Sequence, residues 1–178
     1  LIILFGLFIL YNKLTPNIHE LVNNPDYPGA SALFYDLEVP DVEPMPTPEV
    51  AMEDLAESYA DKYNQSKKSG SLKIGEYGQV DDNQYTVALV GSSHSAHWLG
   101  ALQSFAEEEN IKILNMIQVG SRFSTLNTAN STKTWNNNVM NYLENNKRDI
   151  DLVVATSDIG EADIPLPPEG MADQLKRI

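Results

Sequence analysis

Apolar residues follow two different rhythms along this chain. The opening stretch, LIILFGLFILY (Leu1–Tyr11), is almost wholly apolar and carries no charge. As a helix, its eleven residues cover about 16 Å, roughly half of a bilayer's hydrocarbon core. A signal-peptide core or a buried helix shares that look, but neither a basic start nor a small-residue cleavage site accompanies it. Residues 1–13 are therefore expected to be the end of a transmembrane helix. The chain opens on Leu1 rather than Met and stops at Ile178 inside a helical pattern, so it reads as a fragment of a longer protein.

From Tyr85 the rhythm changes to short continuous apolar runs alternating with helical spacing. YTVALV (Tyr85–Val90), IKILNMI (Ile111–Ile117) and IDLVVAT (Ile150–Thr156) are unbroken runs, as expected of strands buried on both faces. Between the first two, HWLGALQSFAEEE places Trp98, Leu102 and Phe105 on one helical face with Ala101 beside them. After the second, TWNNNVMNYLENN does the same with Trp135, Val139 and Leu143, and PEGMADQLKRI opens another helix. Strands alternating with helices predict a three-layer α/β domain with a parallel sheet. No internal repeat is visible.

Composition separates the two regions. Residues 14–61 hold eleven acids, no Lys or Arg, and seven of the ten prolines. EVPDVEPMPTPEV within it reads as an extended, polyproline-like spacer. Residues 14–80 are accordingly expected to be an acidic, Pro-rich linker, and residues 81–178 the α/β domain. The linker is expected to contain one short helix over Glu49–Lys62, with Thr47 as N-cap and Pro48 at the first helical position. Cytoplasmic flanks of membrane helices are enriched in Lys and Arg. A flank without them points to the extracytoplasmic side, with Lys13 as a contrary signal. The net charge of −13 argues against a nucleic-acid binder, which needs clustered cations to neutralise phosphates. The absence of cysteine excludes disulfides, thiolate catalysis and Cys-based zinc sites.

The first strand runs into a turn, Gly91-Ser92-Ser93-His94. In a parallel α/β sheet, ligands bind beyond the carboxyl ends of the strands, which is where this turn falls. Gly91 permits a sharp turn. A serine opening the next helix lies beside outward-pointing N–H groups that can stabilise an oxyanion, and it needs a base within reach to act as a nucleophile. The alternative is a plain helix N-cap, a common use of serine at this position. Ser93 is expected to face the carboxyl edge and Ser95 to turn away from it. His94 and His97 share one helical turn but lack a third metal ligand, so no metal is expected there, and no cofactor elsewhere.

VALVGSSHSAHWLGALQ resembles the first block of SGNH hydrolases. More narrowly, it resembles the SGNH domain fused to the membrane domain of type-3 acyltransferases, the envelope-polysaccharide O-acetyltransferases. That family carries a Gly-Asp-Ser-His or Gly-Gly-Ser-His turn after the first strand. MIQVGSRFS is similar to its Gly-Cys-Arg-Phe segment. TKTWNNNVMNYLENNKRDIDLVVATS is similar to its Cys-x-x-Trp helix and the strand after it, and PLPPEGMADQLKRI to the following helix. The similarity covers about residues 84–178, and a membrane helix followed by a linker is also the family's layout.

The resemblance implies that Ser93 is the nucleophile and that its N–H is one oxyanion donor. It implies that Gly120 supplies another. Ser92 stands where Asp or Gly is usual. The third-block asparagine has no clear counterpart; Ser157 or Asp158 stands near its place. Ser121 and Thr132 stand where relatives carry cysteines, and both are replaced together, as loss of one disulfide would leave them. The family's Asp-x-x-His base lies near the end of the domain, whereas the histidines here are His19, His94 and His97. The base is therefore expected beyond Ile178; a catalytically dead domain is the other account. His94, adjoining Ser93, is not expected to be the base.

The resemblance thus implies an SGNH, flavodoxin-like sheet, incomplete at its C-terminus and hung from the inner (cytoplasmic) membrane on its periplasmic or extracytoplasmic side. The implied activity is O-acyl transfer, acetyl in the first place, to a cell-envelope polysaccharide such as lipopolysaccharide or peptidoglycan. The implied partners are an acyl donor delivered by a membrane acyltransferase domain, a glycan acceptor and the membrane, with no nucleic acid. Two alternatives stay open: a membrane-tethered carbohydrate esterase and a domain that only binds glycan or a partner.

Overall fold

The computed structural model describes residues 24–49, 51–55, 57–156, 167 and 169–178. The chain divides into two compact units between Leu55 and Ala56. The transmembrane expectation for residues 1–13, and His19, lie outside the described residues. Among the described residues, no helix is long and apolar enough to cross a membrane.

Among the described residues of the first unit one short helix, α1 (Ser31–Tyr35), ends on Asp36 in the left-handed conformation. Residues 37–44 form neither helix nor strand. The helix expected over Glu49–Lys62 does not form as one element. The Ala51 N–H donates to the Thr47 carbonyl at 3.0 Å, but that turn is not continued. Regular helix is confined to α2 (Glu57–Ala60), beyond the unit boundary. Met52 and Leu55 are both exposed, so the apolar face such a helix would present is not buried here. A helix this short needs such packing to persist.

Among its described residues the second unit has five strands: β1 (Asn64–Ser66), β2 (Gly75–Gly78), β3 (Tyr85–Gly91), β4 (Ile111–Val119) and β5 (Leu152–Ala155). The other helices among these residues are α3 (Ser93–Ala96), α4 (Trp98–Ala106), α5 (Asn130–Asn145) and α6 (Met171–Leu175). The order is β1-β4-β3-β5, all parallel; β2 runs antiparallel to β4 and shares the edge that β1 occupies further along. Side-chain alternation sends Ala88, Val90, Leu114 and Met116 to one face, against Trp135, Val139, Met140 and Leu143 of α5. It sends Leu89, Ile113 and Ile117 to the other, against Ala96, Leu99 and Ala106. The three layers follow directly.

Three details depart from expectation. Residues 64–78, expected within the linker, carry β1 and β2 of the sheet. Neither strand has an apolar run. Gln65 serves as a side-chain splint instead, donating to the Ser71 carbonyl at 2.9 Å and accepting from the Lys73 N–H at 2.8 Å. Gly75 leaves room for the rings of Tyr63 and Tyr77, which meet edge to face at 6.4 Å. The second departure is α4, whose buried residues are Leu99 and Ala106, with Leu102 half-buried and Ala101 exposed. Trp98 is 54% exposed and Phe105 also lies open, because small residues let the helix approach the sheet where an indole would hold it off. Thirdly, the strand expected over Ile150–Thr156 is confined to Leu152–Ala155. The α5 face is the expected one.

Candidate active site at the carboxyl edge of the sheet

β4 lies on one side of β3 and β5 on the other, so the chain reverses its direction of strand addition at β3. Parallel α/β sheets open a crevice at such a point, beyond the carboxyl ends of the strands. β3 ends there on Gly91, whose φ of 135° is a conformation that side chains resist. Ser92 is extended, and its carbonyl accepts the Ala96 N–H at 3.1 Å, which makes it the N-cap of α3. Its side chain makes no capping bond. Ser93 is therefore the first helical residue, half-buried at the carboxyl end of β3. The backbone role belongs to Ser92, which leaves the Ser93 hydroxyl without a capping function.

Ser95 does not turn away as expected. It is 1% exposed, and its Oγ accepts the Thr156 N–H at 3.0 Å, just past the end of β5. A buried hydroxyl on this short helix finds its acceptor role on the neighbouring strand rather than in solvent. His94 and His97 are both exposed, with rings stacked at 6.1 Å. Among the described residues no group of three or more His, Cys, Asp or Glu is placed to hold a metal ion.

Gly120 follows β4 at the same edge. The register pairs Gly91 with Ile117, so Gly120 projects beyond the level of the serine turn on the adjacent strand. Its φ is 74°, in a turn closed by the Ser121 N–H on the Gln118 carbonyl at 3.0 Å. That sign of φ is what a glycine supplies without strain. A Cβ at Gly120 would lie 3.9 Å from the Lys67 ammonium nitrogen, so a cation flanks this peptide. The sheet therefore brings Gly91, Ser92, Ser93 and Gly120 to one edge. Ser157 and Asp158 lie outside the described residues.

Behind Gly120 lies a buried polar network. The Ser121 and Thr132 hydroxyls, both buried, meet at 3.1 Å, and Ser121 also donates to Gln118 Oε1 at 2.5 Å. Asn136 is 2% exposed and uses all four of its hydrogen-bonding positions. Its Nδ2 donates to the Arg122 carbonyl at 3.0 Å and the Thr132 carbonyl at 3.1 Å. Its Oδ1 accepts from the Ser124 N–H and from Gln174 Nε2, each at 3.2 Å. Ser124 Oγ also donates to the Glu169 carbonyl. The loop that carries Gly120 and Arg122 is thus pinned to α5 and α6. Asn136 was not singled out from sequence. Its one signal is a polar residue on the apolar face of α5, one turn after Thr132 and next to buried Trp135.

The model of one protein family, the SGNH domain fused to AT3 domains, matches residues 58–174. No curated protein and no solved structure matches the chain.

Proposed function

The chain belongs to the family of SGNH domains fused to AT3 domains, and from that membership we propose that it transfers an O-acyl group, in the first place acetyl, to a cell-envelope polysaccharide. Membership brings esterase- or acyltransferase-type chemistry and, through the fused domain, association with a membrane. The finer reading is supported by one observation above all. Ser93 opens α3 at the carboxyl end of β3, at the point where strand addition reverses, while Ser92 takes over the capping position.

In the proposed reaction Ser93 Oγ attacks the acyl carbon of a donor delivered by the membrane acyltransferase domain. The Oγ–acyl bond forms and the donor's acyl bond breaks; the serine proton passes to a histidine base of the kind the family carries in Asp-x-x-His and from it to the departing donor group, which leaves the base free again. The N–H groups of Ser93 and Gly120 receive the developing oxyanion. A sugar hydroxyl then attacks; its oxygen gains the acyl group, Ser93 Oγ leaves, and the proton returns through the base. The glycan would be an extracytoplasmic one such as lipopolysaccharide or peptidoglycan.

The test uses the full-length protein with an acyl donor, with and without glycan. An acyl adduct mapped to Ser93 by mass spectrometry is expected. Ser93→Ala is expected to lower the rate by about 10⁴–10⁶, as for other serine nucleophiles. Full activity in Ser93→Ala, or an adduct on Ser92, refutes the assignment. Acyl release to water regardless of glycan identifies an esterase, and glycan binding without any adduct identifies a binding domain.

A further inference from the structure

We propose that Ser95 is a positioning residue for the nucleophile, locking the Ser92–Ser93 turn onto the carboxyl end of β5 through one buried hydrogen bond. The proposal rests on the reading of Ser93 as nucleophile.

Helix α3 has four residues, a single turn. A turn of that length does not hold its own position and depends on what it packs against. Two features anchor it from below: Ala96 is fully buried, and Ser95 is 1% exposed. Ser95 Oγ accepts the Thr156 N–H at 3.0 Å, joining segments 61 residues apart. Thr156 is the first residue after β5, and β5 is itself paired to β3 up to Val90 and Ala155. The bond therefore closes a short circuit: β3, the serine turn, and back to the sheet through β5.

Gly91 makes room for this lock. A Cβ built there would overlap Ser95 Oγ, and the φ of 135° is the conformation that swings the chain from strand into turn. One glycine thus opens the turn and admits the hydroxyl that fixes it. The side chain must be small and must accept a hydrogen bond. Alanine fits the space but accepts nothing, leaving the Thr156 N–H without its partner.

The experiment uses the full-length protein and a fluorophosphonate probe, in which an activated serine displaces fluoride from phosphorus. Labelling of Ser93 is followed by mass spectrometry, together with thermal melting and hydrogen exchange over residues 92–97. Ser95→Ala is expected to slow labelling 10- to 100-fold, the scale of a displaced reacting group, and to raise exchange in the turn. Val139→Ala, which removes bulk from the opposite face of the sheet, sets the scale for lost stability alone; it is expected to lower the melting temperature with labelling within two-fold of wild type. Labelling of Ser95→Ala at the wild-type rate overturns the proposal, as does an equal slowing in Val139→Ala. Should Ser95→Ala fail to fold, Thr156→Pro replaces it, removing the N–H donor at the other end of the bond; wild-type labelling there is equally fatal. If wild-type Ser93 is not labelled at all, the nucleophile reading fails, and the exchange arm alone judges the lock. Unchanged protection of residues 92–97 in the variant then overturns it.

Discussion

Replacing both Ser121 and Thr132 by cysteine is expected to create a disulfide that stabilises the second unit. The two hydroxyls already meet at 3.1 Å in a buried site, and C–S bonds, longer than C–O bonds, bring sulfurs closer than oxygens from the same positions. The bond would close a loop spanning residues 121–132. Chain entropy puts the stabilisation of a loop of this size at about 3 kcal/mol relative to the reduced form. Against wild type the gain is smaller. Ser121 is the donor to fully buried Gln118 Oε1, and leaving that oxygen without its donor costs about 1–3 kcal/mol. The reduced double variant is therefore expected to melt below wild type. Oxidation of the same protein is expected to raise its melting temperature by roughly 10 °C. Thiol titration establishes whether the bond forms, and melting with and without reductant reads its effect. Free thiols after oxidation, or oxidised and reduced forms that melt together, would show that this hydroxyl pair is not the site of a lost cross-link.

Three further outcomes follow from other buried groups. Asn136→Ala strands four hydrogen-bonding partners and is expected to cost about 2–4 kcal/mol in urea unfolding; a loss below about 1 kcal/mol contradicts the role given to this side chain. Gly91→Ala forces a side chain into a φ of 135° and onto Ser95 Oγ, and is expected to destabilise by about 1–3 kcal/mol while lowering expression of folded protein; a neutral result in chemical denaturation would mean that the turn relaxes freely. Burial, helped by the nearby negative charges of Asp61 and Glu57, pushes the Tyr77 phenol up. A folded-state value above the unfolded one, near 10, gives stability that is complete below pH 10 and is lost above it. Tyr77→Phe is therefore expected to flatten the alkaline limb of the stability profile, and an unchanged limb would rule Tyr77 out as its cause.

The layering was readable because it depends on long apolar runs. Strands β3 and β4 and the buried face of α5 all follow from residues whose side chains had nowhere else to go. What escaped was built from polar or small residues. β1 reads Asn-Gln-Ser and joins the sheet through backbone pairing and the Gln65 amide, neither of which leaves a periodic mark. Helix α4 rotated its two largest apolar residues outward, a choice that close approach to the sheet decides and periodicity does not. At the site, the serine turn was visible because strand end, glycine and serine are contiguous. Asn136 and Ser95 were not, since each acts by hydrogen bonds to backbone groups distant in sequence.

The overall charge misleads if it is read as a property of the site. Eleven of the 25 acids fall between residues 14 and 61, where no Lys or Arg offsets them. Over the rest of the chain the two signs nearly balance, and the sheet edge that carries Ser93 also has Lys67 beside Gly120. Between exposed charges, repulsion falls away within about 8–10 Å at physiological salt, so the potential felt by a sugar at this edge is set by the charges close to it and not by the sum over the chain. An acidic glycan is therefore not disfavoured as acceptor by the net charge of −13. If it were, raising the salt concentration would speed transfer to an anionic acceptor but not to a neutral one of the same length. The charge distribution predicts no such difference, and a clear salt-induced gain confined to the anionic acceptor would return the linker's acids to the argument.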